Sequence, residues 1–153
     1  MNYWLFKKEP KNISIDDIEQ KGVQNWHGVR NYQARNYMRE MQVGDLVLVY
    51  HSNSEPSGVV GVAEVCKEAY NDITAQDPTS YHPDPKATPE NPIWSQVDIS
   101  FKERFKHIIS LQEIKDEPSL ATMLVIKRGM RLSIQPVTQQ EFEAVLEMGR
   151  KKA

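Results

Sequence analysis

The sequence has almost no cysteine and no long hydrophobic run. Cys66 is the only cysteine among 153 residues, which excludes an intrachain disulfide and a cysteine-based zinc motif. No apolar stretch approaches the roughly 18 residues of a membrane-spanning helix. The first residues lack the basic start and the apolar length of a signal peptide. We therefore expect a cytoplasmic protein without a membrane segment, a bound metal or a cofactor.

The sequence also lacks an excess of positive charge. It contains 19 Lys and Arg against 21 Asp and Glu, a formal net charge of −2. This excludes proteins that hold nucleic acid by bulk charge, as histones do. The charges are unevenly spread, because residues 21–41 and 127–131 together hold seven bases and one acid, whereas residues 64–90 hold six acids and two bases. A local basic cleft therefore remains compatible with the total.

Motifs of the common enzyme classes are missing as well. The chain contains no P-loop, no dinucleotide-binding fingerprint and no Gly-x-Ser-x-Gly turn. No two of its four histidines stand at the i, i+4 spacing of a helical zinc site. We expect a protein that is not an enzyme. The alternative is a small-molecule or nucleoside-binding protein, or a hydrolase that uses His51 as general base beside Ser52.

Hydrophobic periodicity predicts one α+β domain over residues 1–153, with about five or six strands and short helices. The predicted strands cover residues 3–6, 46–50, 59–65, 94–105 and 133–137. The predicted helices cover residues 14–21, 31–41, 111–116 and 139–150. Capping boxes at Ser110 and Thr138 mark the starts of the last two. The proline-rich segment 70–92 is predicted to be a long acidic loop, which a protein-interaction module could use to bind a partner.

Aromatic and polar residues alternate between Trp26 and Tyr37. Two arginines, two asparagines and a glutamine lie among them. Arginine and aromatic side chains offer stacking planes, and amides can pair with the polar edge of a base. The same pattern fits a core in which Trp26 and Tyr32 are packing anchors. Trp94, after the proline-rich loop, either wedges that loop against the core or forms one wall of an aromatic cage.

Two further segments carry polar groups at strand ends. His51 and Ser52 directly follow a predicted strand, where turn formation explains the serine but not the histidine. Arg131, Ser133 and Gln135 share one face of the last predicted strand at period two. That face is either solvated or one wall of a pocket, and the residue pattern leaves both interpretations open.

An ordered set of motifs runs through nearly the whole chain. It comprises Tyr-Trp-Leu-Phe-Lys-x-Glu-Pro at 3–10, Trp-x-Gly-Val-Arg-Asn-Tyr-Gln-Ala-Arg-Asn at 26–36, Met-x-x-Gly-Asp at 41–45, Tyr-His-Ser at 50–52, Trp94, and Arg-Leu-Ser-x-Gln-Pro-Val at 131–137. This set resembles the EVE domain family. The resemblance implies a PUA-like fold, which is a curved, partly closed mixed β-sheet (a pseudo-barrel) with flanking short helices. It also implies a non-catalytic reader of a modified base in DNA or RNA, with modified cytosine or N6-methyladenine as the candidate base.

The hypothesis built on this resemblance assigns twelve residues. Base or ligand contacts are expected from Trp26, Asn31, Tyr32, His51, Ser52, Trp94, Ser133 and Gln135. Phosphate contacts are expected from Lys7, Arg30, Arg35 and Arg131. In this hypothesis Trp26 stacks on the base, Trp94 or Tyr32 forms a second wall, and the protein acts as a monomer.

Two positions depart from the pattern expected for the family. Lys8 stands where a serine is expected, and His27 stands where an aspartate is expected. Both changes make the local potential more positive, which favours phosphate. A ligand preference different from that of the relatives would follow if either residue contacts the ligand.

Overall fold

Six strands form one mixed sheet in the computed structural model, which describes residues 1–151. In chain order they are β1 (Tyr3–Lys8), β2 (Val23–Trp26), β3 (Leu46–His51), β4 (Gly58–Asn71), β5 (Ser95–Ser110) and β6 (Ile134–Val137). Their order across the sheet is β2–β5–β4–β3–β1–β6. β1 is parallel to β3, and all other neighbouring pairs are antiparallel. The predicted α+β class is confirmed, and the sheet is not closed into a barrel.

Four short helices flank the sheet. They are α1 (Ile15–Lys21), α2 (Tyr32–Glu40), α3 (Leu111–Asp116) and α4 (Gln139–Lys151). The predicted capping boxes at Ser110 and Thr138 are both formed, because each hydroxyl accepts the N–H of the glutamate three residues on and that glutamate accepts the cap N–H in return. Of the helices in residues 1–151, none is long and apolar enough to cross a membrane.

The sheet buries a hydrophobic cluster on each face. Strand alternation sends Trp4 and Phe6 of β1 into one cluster, with α1 and α2, and sends Leu5 into the other, with α3 and α4. The same alternation continues to the end of β1. Lys7 therefore leaves the strand on the face of Leu5, and Lys8 leaves it on the face of Phe6.

The sheet curves around α2. This helix contacts β6 at one edge of the sheet and also β4 and β5 toward the other edge. The long β4–β5 pair supplies much of the bending, since its register shifts at four points and each irregularity bends and twists the strands. At Gly58 and Gly61 the backbones of β4 and β5 lie so close together that a Cβ atom would collide with the backbone of β5.

The structure differs from the predicted elements in three places. β2 was not predicted, because its four residues include two polar ones and only pairing with β5 makes it a strand. β4 and β5 extend to Asn71 and Ser110, since each supplies the other's backbone partners beyond the apolar run. β6 begins only at Ile134, so the prediction that Arg131, Ser133 and Gln135 share one strand face is wrong.

Candidate functional site

Lys8 covers one face of Trp26, the residue on which a base is expected to stack. Its Nζ atom lies 4.9 Å from the centroid of the Trp26 ring and donates a hydrogen bond of 2.5 Å to the carbonyl of His27. Trp26 is fully buried at 0% exposure, with its ring 5.1 Å from that of Phe6. A base could therefore contact this ring only after Lys8 moves away.

Two buried nitrogen atoms beside Lys8 have no hydrogen-bond partner among the described residues. They are Trp26 Nε1 and His27 Nδ1. Buried polar atoms in folded proteins are nearly always paired, and an unpaired one costs about 1–3 kcal/mol. The two atoms are therefore a buried donor and a second buried polar group that the described residues leave without a partner.

The cluster around these atoms carries an excess of positive charge. Burial lowers the pKa of Lys8 to about 8, with Asp72 opposing the shift and Arg30 adding to it. Burial also lowers the pKa values of His27 and His82, and Lys8 lowers both further. An acceptor-rich or anionic ligand would relieve this excess.

Asp72 is the anion of this cluster and its main structural link. Its buried carboxylate accepts hydrogen bonds from the Gly28 N–H (2.8 Å), from Arg30 (3.0 Å) and from the N–H and hydroxyl of Thr74. Its own N–H donates to the carbonyl of Trp94. Burial by itself raises the pKa of Asp72, but the bonds from Thr74, Gly28 and Arg30 outweigh it and hold the pKa below its ordinary value.

Arg30 is placed differently from its expected role as a phosphate ligand. Its guanidinium makes five hydrogen bonds, to the carbonyls of Val29 and His82 (two bonds), to Asp72 and to Thr74. An arginine has five N–H donors, so none remains for a phosphate in this arrangement. Arg30 instead ties the segment after Trp26 to the loop after β4.

Tyr32 and Trp94 stack on each other rather than facing Trp26. Their ring centroids are 4.9 Å apart at an interplanar angle of 24°. Trp94 is 5% exposed and Tyr32 is 57% exposed, so the pair presents the tyrosine to solvent. Arg35 lies against both rings, at 4.9 Å from Tyr32 and 5.9 Å from Trp94. Arg39, which sequence reasoning did not select, binds the Ile93 carbonyl beside them.

Two predicted base contacts make hydrogen bonds within the protein, although Asn31 is exposed and Gln135 is buried. Asn31 is the N-cap of α2, where its Oδ1 accepts the N–H of Ala34 at 2.9 Å. Gln135 is 1% exposed and donates to the carbonyl of Leu132 at 2.8 Å. The strand that carries Gln135 turns its side chain into the interior, so of the two interpretations left open by the sequence a solvated face does not apply to this residue.

His51 lies at the end of β3 and supports α1. Its Nε2 atom accepts the backbone N–H of Ile15 at 3.1 Å, which requires the neutral ring. Burial lowers the pKa of His51, with Asp17 opposing the shift. The atom that would act as general base is therefore already occupied, and Ser52 lies instead in a neighbouring cleft.

A basic cleft opens on the Lys7 side of β1. A space of about 370 Å³ is lined by Lys7, Ser52, Asn53, Gly129, Met130 and Arg131. An adjoining space of about 520 Å³ adds Tyr50, Lys115, Lys127 and Arg128. None of the described residues that line the two spaces is acidic. Burial and the neighbouring Arg131 lower the pKa of Lys7. The structure thus brings together three predicted residues, Lys7, Ser52 and Arg131, while Ser133 contacts Lys7 only through its backbone carbonyl.

The acids of the 70–92 segment are largely used within the protein. Asp72 is buried, Asp77 accepts from the backbone and hydroxyl of Thr79, and Asp84 accepts from Trp94 Nε1 at 2.6 Å. Asp77 and Glu90 are exposed, so the surface of the segment keeps two of its four carboxylates. Within residues 1–151 no group of three or more His, Cys, Asp or Glu residues is arranged to hold a metal ion.

Comparison with known proteins finds similar sequences and structures. The EVE domain model matches residues 2–148. Thymocyte nuclear protein 1 of Gallus gallus is 41% identical over 169 residues, which cover 98% of this chain and 69% of that protein. A hypothetical protein from Leishmania major has a TM-score of 0.95 at 46% identity, covering 99% of this chain and 96% of its own. The human THYN1 protein in complex with 5-methylcytosine-containing DNA has a TM-score of 0.91 at 38% identity, covering 100% of both chains. The PUA-like fold expected from the motifs is confirmed.

Replacing Arg30 tests the buried ion pair. We expect Arg30→Ala to lower the free energy of unfolding by about 3–5 kcal/mol, because it leaves the Asp72 carboxylate buried without its cation. Arg128→Ala, at an exposed position, is the matched control and should stay within about 0.5 kcal/mol of the wild type. Urea unfolding of both variants measures the difference. Equal effects would show that the Arg30–Asp72 pair is not a structural link.

Acid should weaken the protein through its partly buried histidines. A group whose pKa is lower in the folded state contributes stability that is complete above its ordinary value of 6.5 and is lost as the pH falls below it. We expect the free energy of unfolding to fall between pH 7.5 and pH 5. His51→Gln, which keeps an acceptor but does not titrate, should reduce this loss while His27 and His82 retain their part. An unchanged pH dependence in the variant would contradict the assignment.

Lys8 should destabilise the protein while it is charged. The pKa of Lys8 is about 8 in the folded state, against its ordinary value of 10.5. The folded protein therefore releases the Lys8 proton at lower pH than the unfolded chain does, and the free energy of unfolding rises as the pH increases from about 8 to 10.5. We expect Lys8→Met to raise the free energy of unfolding at pH 7 by about 1–3 kcal/mol, since one pKa unit corresponds to about 1.4 kcal/mol. The gain should shrink toward pH 10, as measured by urea unfolding. A constant or negative difference would mean that the ammonium is not strained.

Proposed function

The chain belongs to the EVE domain family, and on this premise we propose that it is a non-catalytic protein that binds DNA and reads a modified cytosine. The structure of the human relative with 5-methylcytosine-containing DNA supports the class of ligand. Within this chain, the carrying observation is the unsatisfied Nε1–H of the fully buried Trp26 beside the Lys8 ammonium. The nucleotide that carries the read base would complete this incomplete polar cluster.

The donors in the cluster suit the edge of a cytosine. An extruded base is read through hydrogen bonds to its Watson–Crick edge and by stacking. Cytosine presents two adjacent acceptors, N3 and O2, which match the N–H groups of the Lys8 ammonium. The Trp26 Nε1–H lies in the plane of its ring, so it is left for a sugar or phosphate oxygen of the same nucleotide rather than for the edge of the stacked base. Adenine presents one acceptor, N1, beside the N6 donor. The donor set therefore favours a modified cytosine over N6-methyladenine.

Entry of the base requires Lys8 to leave the Trp26 ring. The ammonium gives up a cation–π contact of about 0.5–2 kcal/mol, which stacking of the base at about 1–3 kcal/mol can offset. The displaced ammonium can then donate to the base edge, since it carries three N–H groups. Lys8 thus covers the site when it is empty and contributes to it when it is filled.

The phosphates adjoining the base are assigned to the basic cleft of Lys7 and Arg131. Lys115, Lys127 and Arg128 extend that cleft away from β1. Because Lys7 and Lys8 are consecutive on one strand, the cleft and the base site meet at its end. Few phosphates are contacted, so the dependence of affinity on salt should be shallow. Arg35 remains a phosphate ligand on the side of Tyr32.

The competing hypotheses receive less support from the geometry. A hydrolase would need His51 Nε2 as general base, and that atom accepts the Ile15 N–H. An interaction module based on residues 70–92 would rely on the exposed Asp77 and Glu90, because Asp72 is buried and Asp84 accepts from Trp94 Nε1. A nucleic-acid reader uses the groups that remain unsatisfied.

Two tryptophan variants test the base site. Trp26→Ala is unsuitable, because removing a fully buried tryptophan costs about 3–5 kcal/mol, whereas Trp26→Phe keeps an aromatic ring and removes only the larger ring and its N–H. We expect Trp26→Phe to weaken binding of 5-methylcytosine DNA about tenfold, the equivalent of one hydrogen bond of about 1.4 kcal/mol. Trp4→Phe is the matched control: Trp4 Nε1 donates to Asp45 at 3.0 Å outside the site.

The two variants should separate stability from binding. Trp4→Phe should unfold at lower urea concentration than Trp26→Phe, because it removes one of three hydrogen bonds to the buried Asp45 carboxylate and leaves those from the Asn2 and Gln42 N–H groups, yet it should bind DNA as the wild type does. Fluorescence anisotropy at a stated salt concentration, on single- and double-stranded DNA and RNA carrying cytosine, 5-methylcytosine or N6-methyladenine, measures the affinities. Wild-type binding that does not depend on the modification, or unaltered binding by Trp26→Phe, would refute the proposal.

A further inference from the structure

The stacked pair of Tyr32 and Trp94 lies apart from the Trp26 ring and is not used in reading the base. We propose that the exposed face of Tyr32 is a second stacking site, which holds the unpaired nucleobase next to the base read at Trp26. The inference extends the proposed function and rests on it. It commits to a nucleobase as the occupant, with its phosphate held by arginine.

The free face of Tyr32 follows from three distances. The Tyr32 and Trp94 centroids are 4.9 Å apart, and the Arg35 guanidinium carbon lies 4.9 Å from Tyr32 and 5.9 Å from Trp94. If the Arg35 guanidinium stacked on the outer face of Tyr32, its distance from Trp94 would be roughly twice the 4.9 Å that separates the two rings. Arg35 therefore lies beside the stack. The outer face of Tyr32 is left to solvent, in agreement with its 57% exposure.

The platform beneath Tyr32 is held rigidly. Trp94 Nε1 donates to Asp84 at 2.6 Å, and the Trp94 carbonyl accepts the N–H of Asp72 at 3.0 Å. Ile93, directly before it, has a φ of +62°, and the Trp94 N–H closes a three-residue turn onto the Pro92 carbonyl. A β-branched residue at positive φ is an outlier that persists only where the surroundings impose it, and such strain is concentrated at functional sites.

Two arginines impose this turn and still have donors to spare. The Ile93 carbonyl accepts from Arg35 at 3.1 Å and from Arg39 at 2.9 Å. Of five N–H donors each, Arg35 uses three and Arg39 uses two on partners in the described part of the chain. The remaining N–H groups lie beside an exposed aromatic face. A nucleotide matches both features, because its planar base can stack on the aromatic face and its phosphate can accept from the arginine N–H groups.

The platform and the base site share one frame. The Arg30 guanidinium lies 5.7 Å from the Trp94 ring and is bound to Asp72. The same carboxylate accepts the N–H of Gly28, two residues after Trp26. A strand that places one base at Trp26 therefore passes a second aromatic surface fixed to the same ion pair. Aromatic platforms of this kind tolerate any base, because every base has a π-face.

A cycle of protein and DNA changes tests the second site. The protein variants are Tyr32→Ala, which removes the ring, and Tyr32→Phe, which keeps it. The probes are single-stranded pentamers with a central 5-methylcytosine or cytosine, in which either neighbouring nucleotide is intact or abasic. Affinities are measured by fluorescence anisotropy, and unfolding in urea checks that each variant is folded.

Stacking of one base predicts about a tenfold loss of wild-type affinity when the neighbour on one side is made abasic. Tyr32→Ala should lose the same factor on the intact pentamer and should then be insensitive to the abasic change, while Tyr32→Phe should match the wild type. The preference for 5-methylcytosine over cytosine should survive in Tyr32→Ala and diminish in Trp26→Phe. If the base-reading function fails, the wild type itself will bind the 5-methylcytosine and cytosine pentamers with equal affinity.

Two results would overturn the second site. Tyr32→Ala that binds the intact pentamer as tightly as the wild type would show that no base stacks there. Tyr32→Ala that still loses affinity with the abasic pentamer would show that the neighbouring base is held elsewhere. Either result leaves the comparison of Trp26→Phe with Trp4→Phe valid as a test of the base site.

Discussion

The ion pair between Asp72 and Arg30 is the contact on which the site depends. Asp72 is fully buried and accepts from the backbone after Trp26, from Arg30 and from its own loop, while its N–H bonds to the backbone of Trp94. Removing either charge would leave the other in a poorly solvated place. Asp72 thus fixes both aromatic surfaces, through its carboxylate on the side of Trp26 and through its backbone N–H on the side of Trp94.

Against this well-bonded frame, the Trp26 cluster is incomplete. It contains a buried indole N–H without an acceptor, and a lysine and two histidines whose pKa values are all lowered, mainly by burial. Within residues 1–151 the other buried side-chain nitrogen and oxygen atoms have hydrogen-bond partners, including those of the other two tryptophans, which donate to Asp45 and Asp84. Local departures from good bonding are expected where a protein has a task other than stability.

Local signals predicted most of the fold, and long-range contacts account for what was missed. The capping boxes at Ser110 and Thr138 involve residues three positions apart, so the sequence alone locates those helix starts. β2 depends on β5, which lies some 70 residues later, and no local pattern marks it. The site was harder for the same reason. Arg30 lies in a basic segment and Asp72 in an acidic one, and only the fold shows that the two charges cancel each other.

The end of β1 has a further consequence for how relatives of this protein can diverge. Lys7 and Lys8 are neighbours in the chain, but the pleat of the strand sends one into the basic cleft and the other onto Trp26. In the proposed reader, these are the contacts to the backbone and to the base. Two adjacent codons can therefore change independently, one adjusting how tightly nucleic acid is held and the other adjusting which base is chosen.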